Sequence, residues 1–142
     1  MIFVDTGAFL ARHLSGDQHH REATRVWQDL ARSRERCLTT SFVVDEALTL
    51  IGRRAGNRMA ALVGRRLYDS RVLDIHDPSR DEQMAALGTL ERYADQRVTF
   101  TDCLSFGLMK ARRIERVFGF DKDFRIAGFL LVPGMSTTAG GP

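Results

Sequence analysis

The chain has 142 residues and a mass of 16.0 kDa, which bounds it to one ordinary domain with a core of its own. Its composition, 44% hydrophobic and 27% charged, is that of a globular protein, and the net charge of +3 is carried by arginine, because Lys110 and Lys122 are the only lysines. Two isolated cysteines, Cys37 and Cys103, exclude a disulfide framework or a zinc knuckle, and neither a signal peptide nor an eighteen-residue apolar run is present, so a soluble protein of the reducing cytoplasm with no membrane partner is expected.

The first stretch, Ile2-Phe3-Val4, has no polar face and reads as a strand buried on both sides, as in a parallel sheet. It delivers Asp5 at its carboxyl end, where open α/β sheets place their sites. Thr6-Gly7 then turns the chain into a short helix that Asp5 or Thr6 is able to cap. A second helix is predicted from about His19 to Arg34, capped by Asp17, with Ala23, Val26, Trp27, Leu30 and Ala31 as its apolar stripe and Trp27 in the core. His13, His19 and His20 lack the spacing of metal ligands and read as surface or capping residues.

Cys37-Leu38-Thr39 is the next strand, and Thr40 or Ser41 caps a third helix from Phe42 to about Arg54. On it Glu46 projects from an otherwise apolar stripe, while Asp45 is explained by solvation. After the break at Gly56-Asn57, Met59, Leu62, Val63 and Leu67 stripe a fourth helix. Its other side carries Arg58, Arg65 and Arg66, which with Arg53 and Arg54 form the densest basic region. Both a solvated face and an RNA-contacting face account for such a run.

Val72-Leu73-Asp74-Ile75 is a strand, and Ser79 with Glu82 forms a capping box for a fifth helix lined by Gln83, Leu87, Leu90 and Ala94. A sixth helix opens with Thr101 as its cap and Asp102 in its first turn. Arg116 to Phe120 is a buried strand ending at Asp121-Lys122-Asp123, and Phe129 to Pro133 is the last strand. The alternation of strand and helix predicts an α/β fold, a short parallel β-sheet flanked by helices on both faces, over residues 1–133, with 134–142 a disordered tail.

In a parallel sheet Asp5 and Asp121 share the carboxyl edge, and Glu46 and Asp102 can join them from helix beginnings. Two carboxylates about 4 Å apart repel by roughly 4 kcal/mol at an effective dielectric near 20, so four stay ionised together only around a cation. Oxygen donors without cysteine or histidine favour Mg²⁺ or Mn²⁺, whose chemistry is the activation of water against a phosphodiester.

Ile2-Phe3-Val4-Asp5-Thr6, Val44-Asp45-Glu46, Phe100-Thr101-Asp102 and Phe118-Gly119-Phe120-Asp121-Lys122-Asp123-Phe124, in that order and over residues 2 to about 133, resemble a PIN domain, and the length is similar to that of the VapC toxins of bacterial toxin-antitoxin pairs. The resemblance implies a metal-dependent endoribonuclease with Asp5, Glu46, Asp102 and Asp121 as catalytic, metal-binding acids. Thr6 and Thr101 are their hydroxyl neighbours, Mg²⁺ or Mn²⁺ the cofactor and RNA the substrate. It also implies a homodimer and a cognate VapB-type antitoxin that occludes the site. The family commonly has a histidine or another polar residue where Asp123 stands, so Asp123 is an additional acid here. Two alternatives remain at this point: a PIN-domain nuclease of RNA processing outside a toxin pair, and a non-catalytic metal-dependent binding domain.

Overall fold

The structure, a computed structural model, describes residues 1–134, so the expected tail lies outside the described residues except for Gly134. In chain order the elements are β1 (Ile2–Val4), α1 (Thr6–His13), α2 (His20–Ser33), β2 (Cys37–Thr40), α3 (Ser41–Ala55), α4 (Asn57–Tyr68), β3 (Leu73–His76), α5 (Arg80–Arg92), α6 (Phe100–Ala111), β4 (Arg116–Phe118), α7 (Asp123–Ile126) and β5 (Leu130–Val132). The five strands form one sheet in the order β3-β2-β1-β4-β5, and every neighbouring pair is parallel.

From β1 the chain steps to β2 and β3 on one side, then returns past β1 to β4 and β5 on the other. Because parallel crossovers are right-handed, that reversal puts α1 to α4 on one face and α5 to α7 on the opposite face. The carboxyl edge between β1 and β4 is therefore the switch point at which open α/β sheets leave a crevice.

The strands that frame this crevice are held from both faces. Register pairs Phe3 with Val117 and Val4 with Phe118. Phe118 packs edge-on to Trp27, at 4.8 Å between centroids, and Trp27 in turn lies 5.9 Å from Phe9. Phe3 faces the other way onto Phe124, which meets Phe106 at 5.1 Å. Phe3, Phe9, Phe106, Phe118 and Phe124 are all fully buried, and burial of each such ring is worth about 1.5–3 kcal/mol. Trp27 is itself half-buried, its indole N–H donating to the Ala8 carbonyl at 3.3 Å, so it lies at the margin of the core rather than in its middle.

Several expected boundaries and stripes shift. Asp17 caps the turn before α2 by accepting from the His19 N–H, and His19 rather than Asp17 occupies the position before the helix. Along α4 the buried residues are Ala60, Val63, Gly64 and Leu67, whereas Met59 and Leu62 are 39% and 42% exposed. Small residues let α3 and α4 approach closely: a β-carbon on Gly64 would lie 3.0 Å from Leu48. On α5 Ala86 is buried and Leu87 is exposed, and Ala94 falls beyond the helix end. Ser79 and Glu82 do form both bonds of the capping box. No helix among the described residues is long and apolar enough to cross a membrane.

Candidate active site

β1 carries Asp5 to the carboxyl edge because Ile2, Phe3 and Val4 have no exposed surface and fix the strand's depth. The Asp5 N–H donates to the Phe118 carbonyl at 2.9 Å, locking this corner to the end of β4. Asp5 occupies the position before α1 but makes no side-chain cap bond, so its carboxylate is not committed to capping the helix. The approach is close because residue 119 has no side chain: a β-carbon there would stand 3.0 Å from Asp5 Cβ and 3.5 Å from Asp5 Oδ2.

Asp102 arrives differently. The expected cap, Thr101, is the second residue of α6, and the capping residue is Thr99. The Thr99 hydroxyl accepts from the Asp102 N–H at 3.1 Å, and Asp102 Oδ2 accepts from the Thr99 N–H at 3.0 Å. One Asp102 oxygen is thus fixed by the cap and the other is left for the cluster. Thr101 contributes its carbonyl to the Ser105 hydroxyl at 3.1 Å. Glu46 comes from the second turn of α3, half-buried, after Thr40 has capped that helix by accepting from the Val43 N–H. Asp45 beside it is exposed.

β4 ends at Phe118, so Asp121 does not end the strand directly; it stands in the turn before α7, with Oδ1 accepting from the Asp123 N–H at 2.9 Å. That turn places Asp121 and Asp123 side by side. One carboxylate oxygen each from Asp102, Asp121 and Asp123 lie within 4.8 Å of one another. Ligand oxygens around a Mg²⁺ ion stand about 3.0 Å apart when adjacent and about 4.2 Å when opposite, so the trio is close to the spacing of a shared ion and would draw in to hold one.

The charges act on one another throughout the cluster. Asp5 is only 5% exposed, and its carboxyl is pushed up to about 8, first by burial and then by Asp102, Asp121 and Glu46, against a lowering by the Thr6 backbone N–H. Burial likewise raises Glu46, with Asp102 and Asp121 adding to it, and raises Asp102, with Asp121 and Asp123 adding. Asp123 is raised by burial and by Asp121. The site therefore holds an excess of carboxylate that a hard cation relieves.

Thr6 supplies a further sign of fit. Its hydroxyl tempers the rise at Glu46 from nearby, but Thr6 Oγ1 is buried and makes no full hydrogen bond among the described residues. A buried hydroxyl without a partner is costly in a finished core and is explained by a water or a ligand oxygen completing it.

The structure thus brings together Asp5, Thr6, Glu46, Asp102, Asp121 and Asp123. Arg53, Arg54, Arg58, Arg65 and Arg66 are all exposed, and none is among the principal influences on the acids. Arg66 instead acts on Arg12 and His13, in a cleft of about 1140 Å³ away from the acids that Trp27, Arg34 and Arg71 also line. Sequence reasoning missed Gly119 and Thr99. The Thr99-x-x-Asp102 spacing is a capping-box signal, and a glycine between Phe118 and Phe120 at a strand end signals close backbone approach.

Acids from a strand end, two helix beginnings and a turn, converging at the switch point of a parallel sheet, make a carboxylate centre of the nuclease kind. The PIN domain profile matches residues 2–130, and the chain belongs to the PIN-domain family. It is 34% identical over 132 residues to the 23S rRNA-specific endonuclease VapC20 of Mycobacterium tuberculosis, in strain H37Rv and in strain CDC 1551 alike, with 93% of this chain and 98% of the relative covered. The crystal structure of M. tuberculosis VapC20, a sarcin-ricin loop cleaving toxin, matches with a TM-score of 0.84 and 32% identity over 92% of this chain and 97% of that one.

Proposed function

We propose that the chain is a divalent-metal-dependent endoribonuclease acting as the toxin of a type II toxin-antitoxin pair, with structured ribosomal RNA as its substrate class. The observation that carries the reading is the convergence of five acids, three of them with oxygens within 4.8 Å of one another, beside a buried hydroxyl that lacks a partner. The likeness to VapC20 across nearly its whole length supports the RNA substrate and a VapB-type antitoxin. A homodimer belongs to the same reading.

Asp102, Asp121 and Asp123 are the residues suited to hold a Mg²⁺ or Mn²⁺ ion. Such an ion, when bound, lowers the pKa of a water and offsets negative charge on a phosphoryl group. Asp5 and Glu46 belong to the same cluster, and with the charge of a bound cation favouring their ionised forms they would be placed to orient a water and to take its proton at a carboxylate oxygen. The Thr6 hydroxyl is free to donate to a water or phosphate oxygen. Thr99 keeps Asp102 in a single orientation.

The test is cleavage of a stem-loop RNA carrying the sarcin-ricin loop by protein freed of its partner, with and without Mg²⁺ or Mn²⁺. Asp5→Asn is expected to lower the rate by roughly 10²- to 10⁴-fold with the fold intact, and to express freely where the wild type arrests growth. Saturating metal is expected to raise the melting temperature of the wild type and to raise that of Asp102→Asn much less. Wild-type cleavage by Asp5→Asn, or cleavage undiminished in chelator, sinks the mechanism.

A further inference from the structure

His19 and Phe120 form the tightest aromatic pair among the described residues, with centroids 4.0 Å apart and planes within 4°. Phe120 lies between Gly119, whose missing side chain admits Asp5, and Asp121 of the acidic cluster. It is backed from the core side: Phe118 meets it edge-on at 6.4 Å, and its Cδ2 is 3.5 Å from where a β-carbon on Gly7 would stand. His19 is therefore the outer leaf of the stack.

That leaf is held in place from its backbone. The His19 N–H donates to Asp17 Oδ1 at 2.8 Å, its carbonyl accepts from the Ala23 N–H at 2.9 Å, and the next residue, His20, sets a ring nitrogen 2.6 Å from the Ala11 carbonyl. Both rings are half-buried, and the core beneath them is already closed by Phe9, Trp27 and Phe118. Phe120 packs on that core, and the pair leaves a preorganised, partly exposed aromatic plane beside a cluster of carboxylates.

We infer that the outer face of the His19–Phe120 stack is a platform for one unpaired base of the RNA, next to the phosphate that is cut; the inference rests on the ribonuclease reading above. The physical reason is charge. A phosphate backbone approaching five acids is repelled wherever it is not neutralised, so the strand must be gripped near the site by contacts that carry no negative charge. Stacking on an aromatic plane is such a contact, and it suits the splayed bases of RNA loops. Phe120 adjoins Asp121 in the chain, so a base on the stack lies beside the acidic cluster.

The experiment uses a fluorescein-labelled stem-loop RNA carrying the sarcin-ricin loop, titrated at several salt concentrations against full-length chain in an Asp5→Asn background. Adding His19→Ala is expected to weaken binding about tenfold, within the range typical of one lost base stack, with the slope of log affinity against log salt unchanged. His19→Phe, which keeps the plane, is expected to restore binding and guards against a mere folding defect. In the active chain His19→Ala should raise KM and leave kcat within about twofold. Binding by His19→Ala equal to the parent's, a salt slope flattened by about 0.7 as for a lost phosphate contact, or no rescue by His19→Phe overturns the platform. Cleavage by wild type together with an inert His19→Ala rejects the platform and keeps the nuclease. A tenfold binding loss with rescue, in a chain whose wild type cuts no RNA in Mg²⁺ or Mn²⁺, keeps the platform and rejects the nuclease.

Discussion

Gly119 decides how near the end of β4 can stand to Asp5. A β-carbon at 3.0 Å from Asp5 Cβ cannot be absorbed by a flexible chain end, because the atom it meets is the root of a side chain on a buried strand corner. Gly119→Ala is therefore expected to cost about 1–3 kcal/mol of stability by overpacking and to displace the Asp5 carboxylate, lowering cleavage at least tenfold. Thermal melts and single-turnover rates check both halves. Asp5 also gives the chain a pH signature. Its carboxyl has a raised folded pKa of about 8 against 3.8 unfolded, so metal-free protein binds the extra proton in the folded state. The resulting stability is fully present below about pH 4 and is lost as pH rises through about 8, on the order of several kcal/mol across the window. Melting temperature in chelator should fall from pH 5 to pH 8, and Asp5→Asn should flatten that fall; a flat wild-type profile would contradict the raised carboxyl. Asp5 was legible in the sequence because three apolar residues point to its place. Gly119 was legible only as a close backbone approach; that the neighbour is Asp5, more than a hundred positions away, was not, because its role is an absence of atoms.

At the scale of elements, α6 exists in its register because Thr99 and Asp102 cap each other, and the same pair of bonds aims a site acid. Thr99→Ala is expected to cost about 1 kcal/mol of stability and, by freeing Asp102 to rotate, to reduce cleavage several-fold. Thr99→Ser, which keeps the hydroxyl, should recover most of both losses, measured by urea melts and initial rates. Thr101→Ala should leave stability nearly unchanged, since Thr101 is not the cap. Hydropathy located the six longer helices but not the phase of every face. On α4, Met59 and Leu62 outweigh Ala60 and Gly64 on any transfer scale, yet close packing on α3 selects the small residues. On α5 the short Ala86 is buried while Leu87 faces out, for the same reason that depth of contact, not side-chain size, chooses the inner face. Glu46 was legible because a carboxylate on an apolar stripe demands a partner. Asp123 was harder to place, since only the turn that pairs it with Asp121 brings it to the cluster.

Across the whole molecule, negative charge is concentrated at one sheet edge while the net charge is +3, so the arginines must govern where a polyanion lands. The fold divides the five basic candidates. Arg54 lies 4.0 Å from Asp17, whose other oxygen accepts from the His19 N–H, and His19 stacks on Phe120 beside Asp121. The end of α3 is thereby linked, group by group, to the rim of the acidic site. Arg66 points elsewhere, into the cleft with Arg12 and His13, where burial and the two guanidinium charges press the His13 pKa down to about 4. Arg54 is exposed and stands 4.0 Å from the largely covered Asp17 carboxylate, a loose spacing that holds it only weakly against a competing phosphate. Replacing Arg53 and Arg54 with alanine should flatten the slope of log affinity against log salt for single-stranded RNA by about 1.4 and weaken binding across sequences, without moving the cut. Replacing Arg65 and Arg66 should leave that slope unchanged. Titrations of both double variants in the Asp5→Asn background separate the two faces, and a slope lost with Arg65 and Arg66 instead would route the RNA along α4 and away from the His19 rim.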